Sequence, residues 1–148
     1  MSLQTASGYA GNLVPAEAFR LLAGAEPSAL IDVRTQAEWA YVGAPDLTAV
    51  GKGALFLEWQ TYPSMQRDPS FVEHLAALLR DAGVDRGESL LFLCRSGARS
   101  REAAIAMTAA GWGPCYNISD GFEGPLDPVG HRNSVGGWRA SGLPWKQT

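Results

Sequence analysis

The chain has 148 residues, 46% of them hydrophobic and 18% charged, with a net charge of -3 at neutral pH. That length suits one domain with a sizeable core, and the composition is neither disordered nor fibrous. The slight acidity, with no basic stripe outside the Cys94 loop, argues against nucleic-acid binding, and no apolar run nears the length needed to span a bilayer.

Met1-Ser2-Leu3-Gln4 lacks the charged and apolar regions of a secretory signal, so a reducing cytoplasm is the expected location. Residues 1–12 contain Gly and Ser with weak patterning and predict a loose arm ahead of a domain over 13–148. Pro15 to Ala23 predicts a helix that turns Ala18, Phe19, Leu21 and Leu22 inward. Three short apolar runs follow: Ala29 to Val33, Leu55 to Leu57 and Leu90 to Leu93. Each is too short for a helix and each is followed by a helical pattern, the second only after a gap, which reads as a parallel sheet buried on both faces. Thr35-Gln36-Ala37-Glu38 is a capping box opening a short helix that carries Trp39. Residues 43–53 and 62–69 predict loops. Asp68-Pro69 has the form of an N-cap followed by proline at the first helical position. The helix it would open has Phe71, Val72, Leu75, Leu78, Leu79 and Ala82 on one face and Gly83 at its end. A further helix, Ser100 to Ala110, is lined by Ala103, Ala104, Ile105, Met107 and Ala110 and stopped by Gly111. Cys115 to Ile118 reads as a further strand running into the turn Ser119-Asp120-Gly121, and residues 124–137 as an irregular excursion.

The chemistry concentrates in Cys94-Arg95-Ser96-Gly97-Ala98-Arg99, directly after the apolar strand and before the Ala-rich helix. A strand, a tight loop opening on a thiol and a helix start can aim backbone N–H groups at one point. Arg95, Arg99 and Arg101 add positive charge, so the setting favours thiolate over thiol. Cys115 is the other cysteine and reads as core packing. Two cysteines make no disulfide scaffold, and no Cys/His cluster has zinc spacing. His74 reads as an exposed helix residue and His131 as a surface histidine. Trp59, Trp138 and Trp145 read as anchors for loops and the C-terminus. Asp32 and Arg34, at a strand end beside the same rim as Cys94, read as a buried ion pair or a link to Glu38 in preference to substrate ligands.

Four motifs in order resemble the rhodanese-like family of sulfurtransferases. They are Leu30-Ile31-Asp32-Val33-Arg34 with Glu38-Trp39, and Leu93-Cys94-Arg95-Ser96-Gly97-Ala98-Arg99-Ser100. After these come Tyr116-Asn117-Ile118 with Asp120-Gly121-Phe122, and Gly137-Trp138 with Ala140, Gly142, Leu143 and Pro144. The resemblance implies an α/β fold with a central, mostly parallel sheet of about five strands and helices on both faces. It implies that Cys94 carries a persulfide and that Arg95, Ser96, Gly97, Ala98 and Arg99 form its cradle, with no metal or organic cofactor. Gly97 supplies the backbone freedom such a cradle requires. Arg95 and Arg99 would attract a small anionic donor such as thiosulfate, and the acceptor would be a thiol or a protein. A carrier module taking sulfur from a partner protein is the alternative. Only four residues separate Cys94 from Arg99, one fewer than in the related phosphatase loop, which disfavours phosphatase or arsenate-reducing chemistry. Two departures bear on the rim of the site. Tyr41-Val42-Gly43-Ala44-Pro45 replaces the usual Gly-His-Ile segment, and Pro125 to Gly136 is an extra segment expected to border the mouth and govern donor entry.

Overall fold

The computed structural model describes residues 7–147. Its elements are β1 (Gly11–Leu13), α1 (Pro15–Ala23), β2 (Ser28–Asp32), α2 (Gln36–Tyr41), β3 (Ala44–Pro45), a 3-10 turn (Thr48–Val50), β4 (Leu55–Phe56), α3 (Phe71–Asp81), β5 (Ser89–Leu93), α4 (Ala98–Ala109), β6 (Cys115–Ile118) and β7 (Trp145–Lys146). Five strands form one sheet in the order β1-β6-β5-β2-β4, and every pair in it is parallel.

Alternation along the central strands divides the core in two. Ala29, Ile31, Leu90 and Phe92 meet Leu75 and Leu79 of α3 and Ala103, Ala104 and Met107 of α4. Leu30, Leu91 and Leu93 face the other way, onto Ala18 and Leu22 of α1 and the fully buried Phe122 and Trp138. Helices therefore cover both faces, as a sheet of continuous apolar strands requires. Each fully buried leucine of these layers stabilises the fold by roughly 1.5–3 kcal/mol of removed apolar surface. No helix among the described residues is long and apolar enough to cross a membrane.

Three local readings are corrected. The predicted loose arm over 1–12 is ordered in its last part: Gly11 to Leu13 adds to the sheet edge beside Tyr116 to Ile118, and Tyr9 is buried. Three residues are too few to show periodicity, so this strand is made by its partner. Residues 1–6 of that arm lie outside the described residues. α3 starts at Phe71, not at Pro69, because Asp68 accepts hydrogen bonds from the Ser70 N–H (2.9 Å) and from His74 Nδ1 (2.7 Å), holding 68–70 in a turn. Within the predicted loop 43–53, β3 pairs antiparallel with β7, and Gly43 is needed there. Its φ is +112°, and a Cβ would lie 2.9 Å from the Trp145 ring.

In a fully parallel sheet all strands end on one edge, and the loops after them share it. The segments that follow β2, β4, β5 and β6 therefore gather around Cys94.

Candidate active site

Cys94 follows the last residue of β5 and is 1% exposed. The loop after it is held from behind. Its carbonyls at Cys94 and Arg95 accept from the N–H groups of Phe122 (2.8 Å), Glu123 (3.0 Å) and Gly124 (3.2 Å). In a trans peptide the N–H points opposite to the C=O, so the N–H groups of Arg95 and Ser96 face away from that segment. Gly97 has φ +113°, and its N–H donates to Cys94 Sγ at 3.1 Å. Space is not the reason for a glycine there, since a Cβ would find nothing nearer than 3.7 Å; the backbone angle is. Among the described residues the N–H groups of Arg95, Ser96, Ala98, Arg99 and Ser100 have no acceptor in the protein. Such donors, with the start of the 12-residue α4, favour negative charge at this loop.

A second donor reaches the sulfur from α4. Ser100 Oγ lies 3.2 Å from Cys94 Sγ and 2.6 Å from Asn117 Oδ1, and both polar residues are buried. One hydroxyl proton serves only one of these partners at a time. Asn117 Nδ2 in turn donates to Asn12 Oδ1 at 3.0 Å, so a hydrogen-bonded chain runs from the sulfur to the edge strand β1.

The arginines have separate roles. Arg99 is committed to Glu38, with Nη1–Oε1 at 2.7 Å and Nη2–Oε2 at 3.0 Å. Arg101 lies nearest Glu102, at 3.6 Å, and is not part of the cavity wall. Arg95 is exposed at the mouth with no ion-pair partner among the described residues. Glu38 Oε1 also accepts from the Thr35 N–H (3.1 Å), completing the capping box of α2, so one carboxylate holds both a helix start and the Cys94 loop. Burial pushes the Glu38 carboxyl up, but the hydrogen bonds and charge of Arg99, with the Thr35 N–H and Arg34, outweigh it and hold it below the ordinary 4.5. A depressed carboxyl contributes stability that is complete above its unfolded pKa and is lost as pH falls through the folded value. The urea midpoint should therefore decline below about pH 4.5 with a contribution that Glu38→Gln removes. A variant with an unchanged acid limb would refute the linkage.

Asp32 and Arg34 form the predicted buried pair. Arg34 Nη2 is 2.7 Å from Asp32 Oδ2, both side chains are 0% exposed, and Arg34 also donates to the Gly43 carbonyl (2.9 Å) and lies over the Phe122 ring. Neither lines the cavity. Cys115 is buried at the far end of the sheet: Leu90 is its register partner, which leaves Cys94 four residues, or about 13 Å, further along. Burial pushes the Cys115 thiol up, and its sulfur lies 3.4 Å from the Trp112 carbonyl, to which it donates. Trp59 and Trp138 are buried anchors, whereas Trp145 stays 37% exposed beneath Arg139.

Above Cys94 lies a cavity of about 650 Å³. Cys94, Arg95, Ser96, Ala98 and Arg99 line it from the loop after β5 and the start of α4, and Thr35, Ala37, Glu38 and Val42 from the segment around α2. The turn after β4 contributes Gln60, Tyr62 and Met65, and the segment after β6 contributes Glu123 and Arg132. The extra segment thus reaches the mouth through Arg132; His131 is exposed and lies outside the wall. Sequence reasoning missed Ser100, Asn117 and the second use of Glu38. A polar Asn117 inside an otherwise buried strand was the available signal for the hydrogen-bond chain.

The fold is rhodanese-like: it is similar to that of a rhodanese-like domain protein from Staphylococcus aureus (19% identity, TM-score 0.52, 76% of this chain and 87% of that one). The chain belongs to the family described as the STR4 middle domain, whose model matches residues 11–148. It is also similar to the crystal structure of Rv0390 from M. tuberculosis, with 45% identity and a TM-score of 0.82 over 95% of this chain and 99% of that one. An uncharacterized protein of Rickettsia rickettsii, the RP600 homolog, is 38% identical over 91% of this chain and 96% of its own length.

Proposed function

We propose that this chain is a sulfurtransferase that carries sulfane sulfur on Cys94. The observation that supports this most directly is a sheltered thiol that receives the Gly97 N–H, with the Ser100 hydroxyl within reach, beside an open cavity. Cys94 thiolate attacks the outer sulfur of thiosulfate, the sulfur–sulfur bond breaks, and sulfite leaves with the electron pair. The persulfide so formed is an anion one atom longer, suited to the unpaired N–H groups of the loop. A thiophilic acceptor then takes the outer sulfur and returns Cys94 as thiolate. Persulfides of other thiols would serve equally as donors. Phosphoryl transfer fits less well, because Arg99, which would have to clamp phosphate oxygens, is held bidentately by Glu38.

Intact mass after thiosulfate treatment should rise by one sulfur atom. The gain should vanish in Cys94→Ser and persist in Cys115→Ser. An adduct surviving in Cys94→Ser, or none in the unaltered protein, would overturn the reading.

A further inference from the structure

We infer that Asn117 is a positioning residue for sulfur transfer: it takes back the Ser100 hydroxyl when Cys94 is loaded, and so favours the loaded state. This rests on the sulfurtransferase reading and adds to it how the chain keeps its sulfur.

The first observation is a shared proton. Ser100 Oγ lies 2.6 Å from Asn117 Oδ1 and 3.2 Å from Cys94 Sγ, and its one hydroxyl proton serves either. Among the described residues Ser100 is the donor that Asn117 Oδ1 has.

Burial is the second. Cys94, Ser100 and Asn117 are 1%, 0% and 2% exposed, so bulk water does not replace a hydroxyl that turns away.

The third is a fixed amide. Asn117 Nδ2 donates to Asn12 Oδ1 at 3.0 Å, and the Tyr9 hydroxyl donates to the same oxygen at 3.1 Å. With both donors on that oxygen, the Asn117 amide is held with its carbonyl toward Ser100.

Together these make the hydroxyl follow the charge. A thiolate is the stronger acceptor, so in the unloaded protein Ser100 turns to Cys94 Sγ. Asn117 Oδ1 is then buried without a donor, which is costly. Attack of the thiolate on the outer sulfur of thiosulfate forms a sulfur–sulfur bond, and sulfite leaves with the electron pair. The negative charge now sits on the added sulfur, one bond further from Ser100. The inner sulfur is neutral and a weak acceptor, so the hydroxyl returns to Asn117 Oδ1. No proton leaves the Ser100 oxygen in this exchange. Loading therefore restores a buried hydrogen bond that the unloaded thiolate lacks, and discharge has to break it again.

The test uses the full chain. Intact mass at fixed thiosulfate and sulfite gives the loading equilibrium. It is read at about pH 9.5, a unit above the ordinary thiol value of about 8.5. The constant should fall at least threefold, the scale of one buried hydrogen bond, in Asn117→Leu. Asn117→Val, which suits a strand, should behave alike. The fall should disappear when Asn117→Leu is made in a Ser100→Ala background, because Asn117 acts through that hydroxyl. Arg95, the Arg99–Glu38 pair, Glu123 and Arg132 around the cavity, and the buried Asp32–Arg34 pair, are the same in every protein compared. A second readout needs no variant: in the unaltered protein, loading should move the Asn117 Cγ magnetic resonance signal downfield, as its carbonyl gains a hydrogen bond. An unchanged or raised constant, an equal fall without Ser100, or a Cγ signal that does not move downfield would overturn the inference. In each of these cases a normally loaded Cys94 leaves the sulfurtransferase reading standing. An unaltered protein whose Cys94 takes no sulfur would overturn that reading, and the inference with it.

Discussion

Gly121→Ala is expected to lower the unfolding free energy by about 2–5 kcal/mol, the combined scale of a left-handed backbone and an overfilled contact, and to reduce sulfur loading of Cys94 at least tenfold. Gly121 sits at φ +64°, in the turn that presses on the back of the Cys94 loop. A Cβ there would lie 2.5 Å from the Cys94 carbonyl oxygen and 2.6 Å from the carbonyl atoms of Arg95. All three are backbone atoms, so relief requires moving the loop itself. The movement would break the bonds that Phe122 and Glu123 donate to those carbonyls and would redirect the N–H groups on the other side of the same peptides. Urea unfolding and intact mass measure the two effects separately. A loss below about 1 kcal/mol, within the ordinary range for a single substitution, with normal loading, would show that the turn does not set the loop.

The second large effect belongs to the buried pair at the end of β2. Asp32→Asn is expected to destabilise the fold by about 3–5 kcal/mol, because it leaves the Arg34 guanidinium buried without a counter-charge. Arg34 is 0% exposed, its Nη1 already lacks a hydrogen-bond partner, and among the described residues Asp32 is the carboxylate that hydrogen-bonds it. The double change Asp32→Leu with Arg34→Met removes both charges and should be less damaging than Asp32→Asn alone. Urea midpoints for the three proteins decide it; equal or greater damage in the double variant would show that the pair acts through shape and not through charge.

The parts legible in the sequence are those with a local physical cause. The runs around Ile31 and Phe92 are too short and too apolar for anything but strands buried on both faces, and the capping box at Thr35 and Glu38 is complete within four residues. The Cys94 loop could be read because its glycine, its thiol and the following helix are contiguous. What stayed hidden depends on residues far apart. β1 exists only against β6, and β7 only against β3, each too short to carry a period of its own. Glu38 was legible as a helix cap, but its grip on Arg99 spans 61 residues and has no local signature. The extra segment's place at the mouth was legible, and Arg132 is the residue through which it lines the cavity, whereas His131 is not.

The strand order has a consequence for the chain as it leaves the ribosome. Leu13 pairs with Ile118, and Asn12 bonds to Asn117 across 105 residues. At about 5–20 residues per second, the N-terminal strand must wait roughly 5–20 s for the partner that gives it a place in the sheet. Cys94, its loop and α4 are all synthesised before that partner, so the nascent protein holds its thiol and the Ser100 hydroxyl while Asn117 is still to come. The hydrogen-bond chain behind the sulfur is therefore among the last parts of the molecule to close, and a chain that stalls before Asn117 ends with the thiol present and its inner support missing.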